Sequence, residues 1–340
     1  MNHPKLTDMH YVGIDVSQDQ LDYALLNATG VPIQQGQITN DRKAIIGLIR
    51  GWKKKPGIVL AQSLFCLEPT GHYSQLLLEV LVELEAPTWL AHPMHIKQSL
   101  GDQRGKSDQL DALRIAQYAH RFSDQARMFT ADNLKMTKLK QLLMKRKQLV
   151  EGRAKLKTQI SHVNKHMHKE LRASFNTIDK AQVRRIDSLL DRLEHLIQVE
   201  IEAHPEIHEK YELICSIPGI GPVLASNLLA LTDAFSRFSS PRALACHCGV
   251  APFEHSSGSS VRGKTRTSPK ANTWLKSLLH MGAIVAMRND PGLAAYYKRK
   301  VEQGKPKLSV INAIRAKLIH RVFAVLRKGE PYNPNLLQMS

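Results

Sequence analysis

The sequence predicts an α/β domain followed by a larger, mostly helical region. Short apolar runs of strand length alternate with helical patterns near the amino terminus, and long stretches of helical periodicity follow them. We therefore expect an α/β domain at 1–125, a helical coiled-coil or dimerisation region at 126–205, and a mostly helical domain at 206–340.

The amino-terminal domain begins with three strand signals. Residues 11–15 fit a buried strand that ends at a carboxylate, and the alternating runs 21–26 and 31–38 flank the turn signal Asn27-Ala28-Thr29-Gly30. This arrangement predicts a three-stranded meander.

Helices and strands alternate through the rest of this domain. Helices are expected at 43–52 and 73–84, and a short strand at 88–91. The runs 57–60 and 63–67 are both apolar, so that either or both fit a strand. In α/β sheets of this kind, ligands bind beyond the carboxyl ends of the strands.

Four carboxylates stand where such a site would form. Asp15 follows the first strand, and Glu68 follows a central one. Asp108 and Asp111 share one face of a helical first turn that Ser107 would cap. Taken alone, this last pair fits complementation of a helix dipole. All four in this order favour a ribonuclease-H-like or RuvC-like site, in which two divalent cations, typically Mg²⁺, clamp the oxygens of a phosphodiester.

Composition indicates a polyanionic partner. The 340 residues include 48 Lys and Arg against 30 Asp and Glu, a formal net charge of +18. Nucleic-acid binding depends on neutralising phosphates, although a basic structural protein would show the same excess. No long apolar run or signal segment is present, so we expect a cytoplasmic protein without a membrane partner.

The cysteines do not have the spacing of a zinc ribbon or a disulfide framework. Their one cluster, Cys246-His247-Cys248, lies in an apolar helical stretch and is expected to pack rather than to bind metal. Earlier in the chain, Arg104 and Lys106 stand in a glycine-containing polar loop that suits phosphate contacts or a solvated turn.

The middle of the chain predicts two long helices. Residues 132–170 are basic with apolar residues seven apart, and 177–201 carry a second apolar stripe. The pattern fits an antiparallel hairpin or an intermolecular coiled coil. Arg146 and Arg153 interrupt the apolar positions, which favours an oligomerisation or nucleic-acid-spanning arm over a long autonomous zipper.

Two motifs follow in the carboxy-terminal region. The turn at 217–221 has the form of a helix-hairpin-helix motif, in which Gly219 and Gly221 would let the backbone approach a phosphate; a plain helix connector has the same residues. The polar stretch 253–266 fits a flexible loop. It also places serines near Arg262, Lys264 and Arg266, which suits covalent attack on a phosphodiester.

Five motifs in order resemble the DEDD transposases of the IS-110 type (IS-110/IS-1111), a family that includes the bridge-RNA-guided recombinases and is related to the Piv DNA invertases. The motifs are Gly13-Ile14-Asp15, Leu67-Glu68-Pro69-Thr70-Gly71, Lys106-Ser107-Asp108 with Asp111, Ile217-Pro218-Gly219-Ile220-Gly221, and Ser257-Gly258-Ser259-Ser260-Val261-Arg262-Gly263.

The resemblance implies a catalytic and metal-binding tetrad of Asp15, Glu68, Asp108 and Asp111, with Mg²⁺, and a nucleophile at Ser257. It also implies donor and target DNA, a structured bridge RNA, and a homo-oligomer that is a dimer or, on DNA, a tetramer. This chain departs from the family pattern in two motifs. The family's Glu-Ala-Thr-Gly is Glu-Pro-Thr-Gly at 68–71. The family's downstream Ser-Lys-x-Gly is Ser-Pro-Lys-Ala at 268–271, and this second change puts the downstream phosphate contacts in question.

The nucleophile and the function both stay open. Ser256, Ser259 or Ser260 could replace Ser257 as the nucleophile. The protein could be a metal-dependent nuclease or an invertase without a guide, or a non-catalytic assembly protein whose carboxylates only cap helices.

Overall fold

The computed structural model describes residues 9–99, 107–251 and 271–333, and the backbone alone at 256–257 and 261–262. The chain forms two compact units, Met1–Leu134 and Lys135–Ser340. Within the described residues, no helix combines the length and apolar character needed to cross a bilayer.

The first unit is built on a five-stranded mixed sheet of order β3-β2-β1-β4-β5. β1 to β3 form the predicted antiparallel meander, and β4 and β5 continue the sheet in parallel with β1. Of the two uncertain runs, only the second is a strand, because Leu60–Gln62 forms a short helical turn. The strands are β1 (His10–Val16), β2 (Gln20–Leu26), β3 (Pro32–Thr39), β4 (Ser63–Leu67) and β5 (Thr88–Leu90).

Helices cover both faces of this sheet. They are α1 (Arg42–Lys53), α2 (Gln75–Glu83), α3 (Pro93–Ser99) and α4 (Asp108–Arg121). Because alternate residues of a strand point to opposite faces, Val12 and Ile14 pack with α1 and α2, whereas Tyr11 packs with α4. The sheet is therefore the middle layer of three, which confirms the expected α/β class.

The second unit is mostly helical, as predicted. It contains α5 (Ala131–Thr158, which begins at the unit boundary), α6 (Lys169–Glu202), α7 (Pro205–Cys215), α8 (Pro222–Thr232), α9 (Pro241–His247), α10 (Thr273–Asn289), α11 (Pro291–Glu302) and α12 (Lys307–Lys328). Two short strands, β6 (Ser256–Ser257) and β7 (Val261–Arg262), pair antiparallel. A single apolar core joins α7 to α12 with the near ends of α5 and α6.

The two long helices form an antiparallel hairpin within one chain. Arg146 pairs with Glu194 at 2.6 Å, and Arg153, later in α5, pairs with Asp187, earlier in α6, at 2.7 Å. The arginines that interrupt the apolar pattern are therefore accommodated by carboxylates of the facing helix.

Candidate active site

The sheet brings Asp15 and Glu68 together. β1 and β4 are parallel neighbours in which Ile14 lies opposite Leu67. Asp15 and Glu68 are the next residues of each segment, so they lie side by side at the carboxyl ends of the two strands. Both are half-buried, and alternation places Asp15 on the same sheet face as Gly13.

Helix α4 lies directly on this face because Gly13 has no side chain. A Cβ at Gly13 would lie 2.2 Å from both the Ala112 carbonyl oxygen and the Ala116 nitrogen, which are backbone atoms of α4. The close approach holds the first turn of α4, with Asp108 and Asp111, next to the end of β1. As predicted, Ser107 caps this helix, since its Oγ accepts a hydrogen bond from the Leu110 amide at 3.3 Å.

The four carboxylates act on one another electrostatically. Burial raises the pKa of Asp15, and the negative charges of Asp111 and Asp108 raise it further. Burial likewise raises the pKa of Glu68, with added contributions from Asp15 and Asp111. The β1–β4 register and the close approach of α4 at Gly13 bring the four predicted carboxylates to one end of the sheet, which agrees with these effects of like charge.

The donor chemistry suits a hard divalent cation, but the side chains do not form a complete metal site. Carboxylate oxygens are preferred ligands of Mg²⁺, and a cation would offset the repulsion that raises the pKa of Asp15 and of Glu68. Among the described residues, however, no group of three His, Cys, Asp or Glu is arranged to hold a metal ion. Asp111 instead forms an ion pair with Arg114 at 2.7 Å.

Asp22 is a fifth carboxylate at this position, which the sequence analysis missed. It lies directly opposite Asp15 in the antiparallel β1–β2 pair and is only 4% exposed. Its two oxygens accept hydrogen bonds from Gln37 Nε2 at 3.1 and 3.3 Å, and its charge further raises the pKa of Asp15. The sequence feature that could have identified Asp22 is its position as the one acidic residue in the mainly apolar strand β2.

Asn40 connects the segments that carry Asp15 and Glu68. Its Nδ2 donates to the carbonyl oxygens of Ser17 at 3.0 Å and Gln18 at 3.3 Å, just after β1. It also donates to the carbonyl oxygen of Tyr73 at 3.0 Å, beyond Glu68. These contacts join backbone groups distant in sequence, so no local pattern predicts them.

The proposed nucleophile and one of its cations lie in a short pair of strands. Ser257 lies in β6 with its backbone paired to Val261, and Arg262 lies in β7 opposite Ser256. The side chains of Ser257 and Arg262 are not described. Four further residues predicted to contact nucleic acid lie outside the described part of the chain: Arg104, Lys106, Lys264 and Arg266.

The described residues on either side of the serine stretch lie close together. The Asn272 amide donates to the His247 carbonyl at 2.9 Å, and Asn312 Nδ2 donates to the Val250 carbonyl at 2.8 Å. Arg315 holds Asn312 in turn, since it donates to Asn312 Oδ1 at 3.3 Å, and it also contacts His280 Nδ1 at 2.6 Å. Contacts of α10 and α12 therefore hold the described residues on the two sides of this stretch in place.

The predicted glycine turn joins α7 to α8, and its two glycines have different surroundings. Gly219 has φ of +93°, and a Cβ there would lie 2.4 Å from the Gly282 carbonyl oxygen of α10. Gly219 is thus required for packing of the turn on α10. Gly221 has open space around its Cα, directly before the first turn of α8, and so leaves room for a ligand.

Two family models match the chain. One, of the DEDD type of IS110 elements and described as "Transposase", covers residues 12–168, and the other, described as "Transposase IS116/IS110/IS902 family", covers residues 211–298.

Curated relatives agree with these matches. The chain is 27% identical to the pilin gene-inverting protein of Moraxella lacunata over 96% of this chain and 98% of that protein. It is also 27% identical to the transposase for insertion sequence element IS1111A of Coxiella burnetii, over 60% of each chain. An uncharacterized 43.6 kDa protein of insertion element IS110 from Streptomyces coelicolor is 30% identical over 41% of this chain and 34% of its own length.

Proposed function

Since the chain belongs to the IS116/IS110/IS902 transposase family and is a DNA transposase or recombinase, we propose that it cleaves and rejoins DNA through a covalent phosphoserine. The observation that supports this proposal most strongly is the position of Asp15, Glu68, Asp108 and Asp111 at one end of the sheet, where burial and neighbouring carboxylates raise the pKa of Asp15 and of Glu68.

The first unit would act as a RuvC-like domain with bound divalent cations, most simply Mg²⁺. Asp15, Glu68, Asp108 and Asp111 would hold the metal, which requires Asp111 to exchange its Arg114 contact for the cation. When bound, such ions neutralise and polarise a phosphodiester. Asp22 and Asn40 would keep the strand ends in place around the ligands.

Ser257 would supply the nucleophile. Its hydroxyl oxygen forms a bond to the scissile phosphorus while the bond to one sugar oxygen breaks, and that oxygen leaves as a free hydroxyl. Attack by a hydroxyl of another DNA end on the phosphoserine then restores the serine and completes strand exchange. Arg262, Lys264 and Arg266 would stabilise the added negative charge.

The second unit would provide assembly surfaces. Apolar side chains in the far part of the α5–α6 hairpin are about half exposed, including Val163 at 45%, Leu171 at 50% and Ile178 at 54%. Exposed apolar groups of this kind fit an interface between copies of the chain. We propose a homo-oligomer that assembles in the cytoplasm on donor and target DNA with a structured guide RNA, with residues 126–205 as the arm and 206–340 as the transposase domain.

Replacing Asp15 with Asn tests the catalytic proposal against a binding-only role. We expect loss of DNA strand cleavage with DNA affinity retained, because the carboxamide removes a ligand charge and keeps the side-chain shape. Unchanged cleavage would contradict the proposal. Replacing Ser257 with Ala distinguishes a phosphoserine enzyme from a metal-dependent nuclease. A phosphoserine enzyme forms a protein–DNA adduct that can be trapped and that the variant no longer forms, whereas a metal-dependent nuclease never forms one.

DNA inversion without an RNA guide is a second candidate, favoured by the match to the pilin gene-inverting protein along 96% of the chain. Purification from cells followed by sequencing of bound RNA distinguishes the two candidates. A discrete species encoded beside the gene supports guiding. Bulk cellular RNA alone, with inversion of a plasmid segment by RNA-free protein, supports the invertase.

A further inference from the structure

The excess of positive over negative charge in this chain lies entirely in its second unit. Residues 1–134 contain 13 Lys and Arg against 14 Asp and Glu, whereas residues 135–340 contain 35 against 16. The unit that carries the carboxylate site is close to neutral. The net attraction of a polyanion therefore comes mainly from the second unit.

One strongly basic surface is on the last two helices. From residue 291 to residue 329, the chain has ten Lys and Arg and a single acidic residue, Glu302. Helices α11 and α12, which pack against each other, make up most of this stretch. The family model for the carboxy-terminal domain ends at residue 298, so most of this surface lies beyond it.

On this surface, two cations lie over one aromatic ring. Lys317 Nζ of α12 is 4.8 Å from the centre of the Tyr296 ring of α11, and Arg299 Cζ is 5.9 Å from it. Both cations are exposed and the ring is partly exposed. We call Tyr296, Arg299 and Lys317 the Tyr296 cluster.

No carboxylate of the described chain neutralises this cluster. Neither Arg299 nor Lys317 forms an ion pair there. Asp290, just before α11, is already engaged, since it accepts from Arg321 at 2.7 Å, from the Leu293 amide and from the Tyr332 hydroxyl. Two like charges beside one ring repel each other, and an anion between them would offset this repulsion.

We propose that the Tyr296 cluster binds the phosphodiester backbone of nucleic acid. Arginine and lysine beside an exposed aromatic ring are the groups that contact phosphates and stack on bases or sugars. The inference rests on the proposed function for the identity of the polyanion, and it adds a surface remote in sequence from the glycine turn and the serine stretch. It requires no base-specific contact, so affinity there depends on salt rather than on sequence.

The test uses the full-length double variant Arg299→Ala/Lys317→Ala. Affinity is measured without divalent metal, from 50 to 200 mM salt, for a 30-base-pair DNA duplex of unrelated sequence, an RNA hairpin and polyglutamate. The matched control is Arg50→Ala/Lys54→Ala, which removes the same charges from exposed positions at the end of α1. Circular dichroism establishes that both variants are folded.

Each phosphate contact contributes about 0.9 to the slope of log affinity against log salt on duplex DNA, so two contacts contribute about 1.8. The ratio of wild-type to variant affinity should therefore be about 12-fold larger at 50 mM than at 200 mM salt. A smaller salt slope of the double variant with DNA alone, with RNA alone, or with both supports the proposal and identifies the nucleic acid that binds. A slope equal to that of the wild type or the control overturns it, as does a loss confined to polyglutamate.

This outcome is independent of the catalytic proposal because binding is read without cleavage. If Asp15→Asn and Ser257→Ala leave cleavage intact while the salt slope still falls in the double variant, the catalytic proposal fails and the binding surface stands.

Discussion

Replacement of Gly13 by Ala tests whether the contact between β1 and α4 sets the geometry of the carboxylates. The added Cβ would lie 2.2 Å from two backbone atoms of α4, and real contacts do not fall below 3.0 Å. The helix must therefore move by at least about 0.8 Å, the difference between 3.0 and 2.2 Å, and carry Asp108 and Asp111 with it. A shift of about 1 Å at catalytic groups can reduce the rate about 100-fold.

We expect Gly13→Ala to lose about two orders of magnitude in DNA cleavage rate and about 1–3 kcal/mol in free energy of unfolding from overpacking. The measurements are single-turnover cleavage and urea denaturation. Gly47→Ala is the matched control, because a Cβ at this helical position meets no atom within 4 Å and should stabilise by about 0.5–1 kcal/mol. Wild-type cleavage by a folded Gly13→Ala variant would refute the reasoning.

Three further predictions follow from the same contacts. Because burial and neighbouring carboxylates raise the pKa of Asp15 above 3.8, ionised Asp15 destabilises the fold increasingly as pH rises through the raised pKa. Asp15→Asn should then raise the free energy of unfolding at pH 7, and urea denaturation should show that this gain is absent below pH 3.8. Arg321→Met leaves the buried Asp290 carboxylate, 5% exposed, without its cation, and thermal denaturation should show a loss of about 3–5 kcal/mol. Asn312→Ala leaves the Val250 carbonyl without its 2.8 Å donor, which should cost about 1–3 kcal/mol in the same measurement; wild-type stability in either of the last two variants would contradict these contacts.

The sequence predicted the parts of the site that depend on local patterns. Alternation and turn residues identified the meander, and the strand ends located Asp15 and Glu68 because parallel strands end at the same edge of a sheet. Ser107 marked the start of α4, where the cap is observed. The helical periodicity of the middle region likewise identified α5 and α6.

Contacts between segments distant in sequence were not predictable. The three carbonyls bound by Asn40 come from two separate loops. In the sequence, Arg146 and Arg153 interrupt the apolar pattern of α5, because the carboxylates that pair with them lie on the facing helix α6. The sequence pattern suggests phosphate binding at Gly219, but in the structure a glycine is required there because any side chain would collide with α10.

The most direct test of the account is mass spectrometry of the protein–DNA adduct trapped during cleavage. After nuclease and protease digestion, we expect a nucleotide attached to Ser257 in the wild-type protein and no adduct in Asp15→Asn or Ser257→Ala. Attachment to another residue, or cleavage by Ser257→Ala at the wild-type rate without any adduct, would contradict the account.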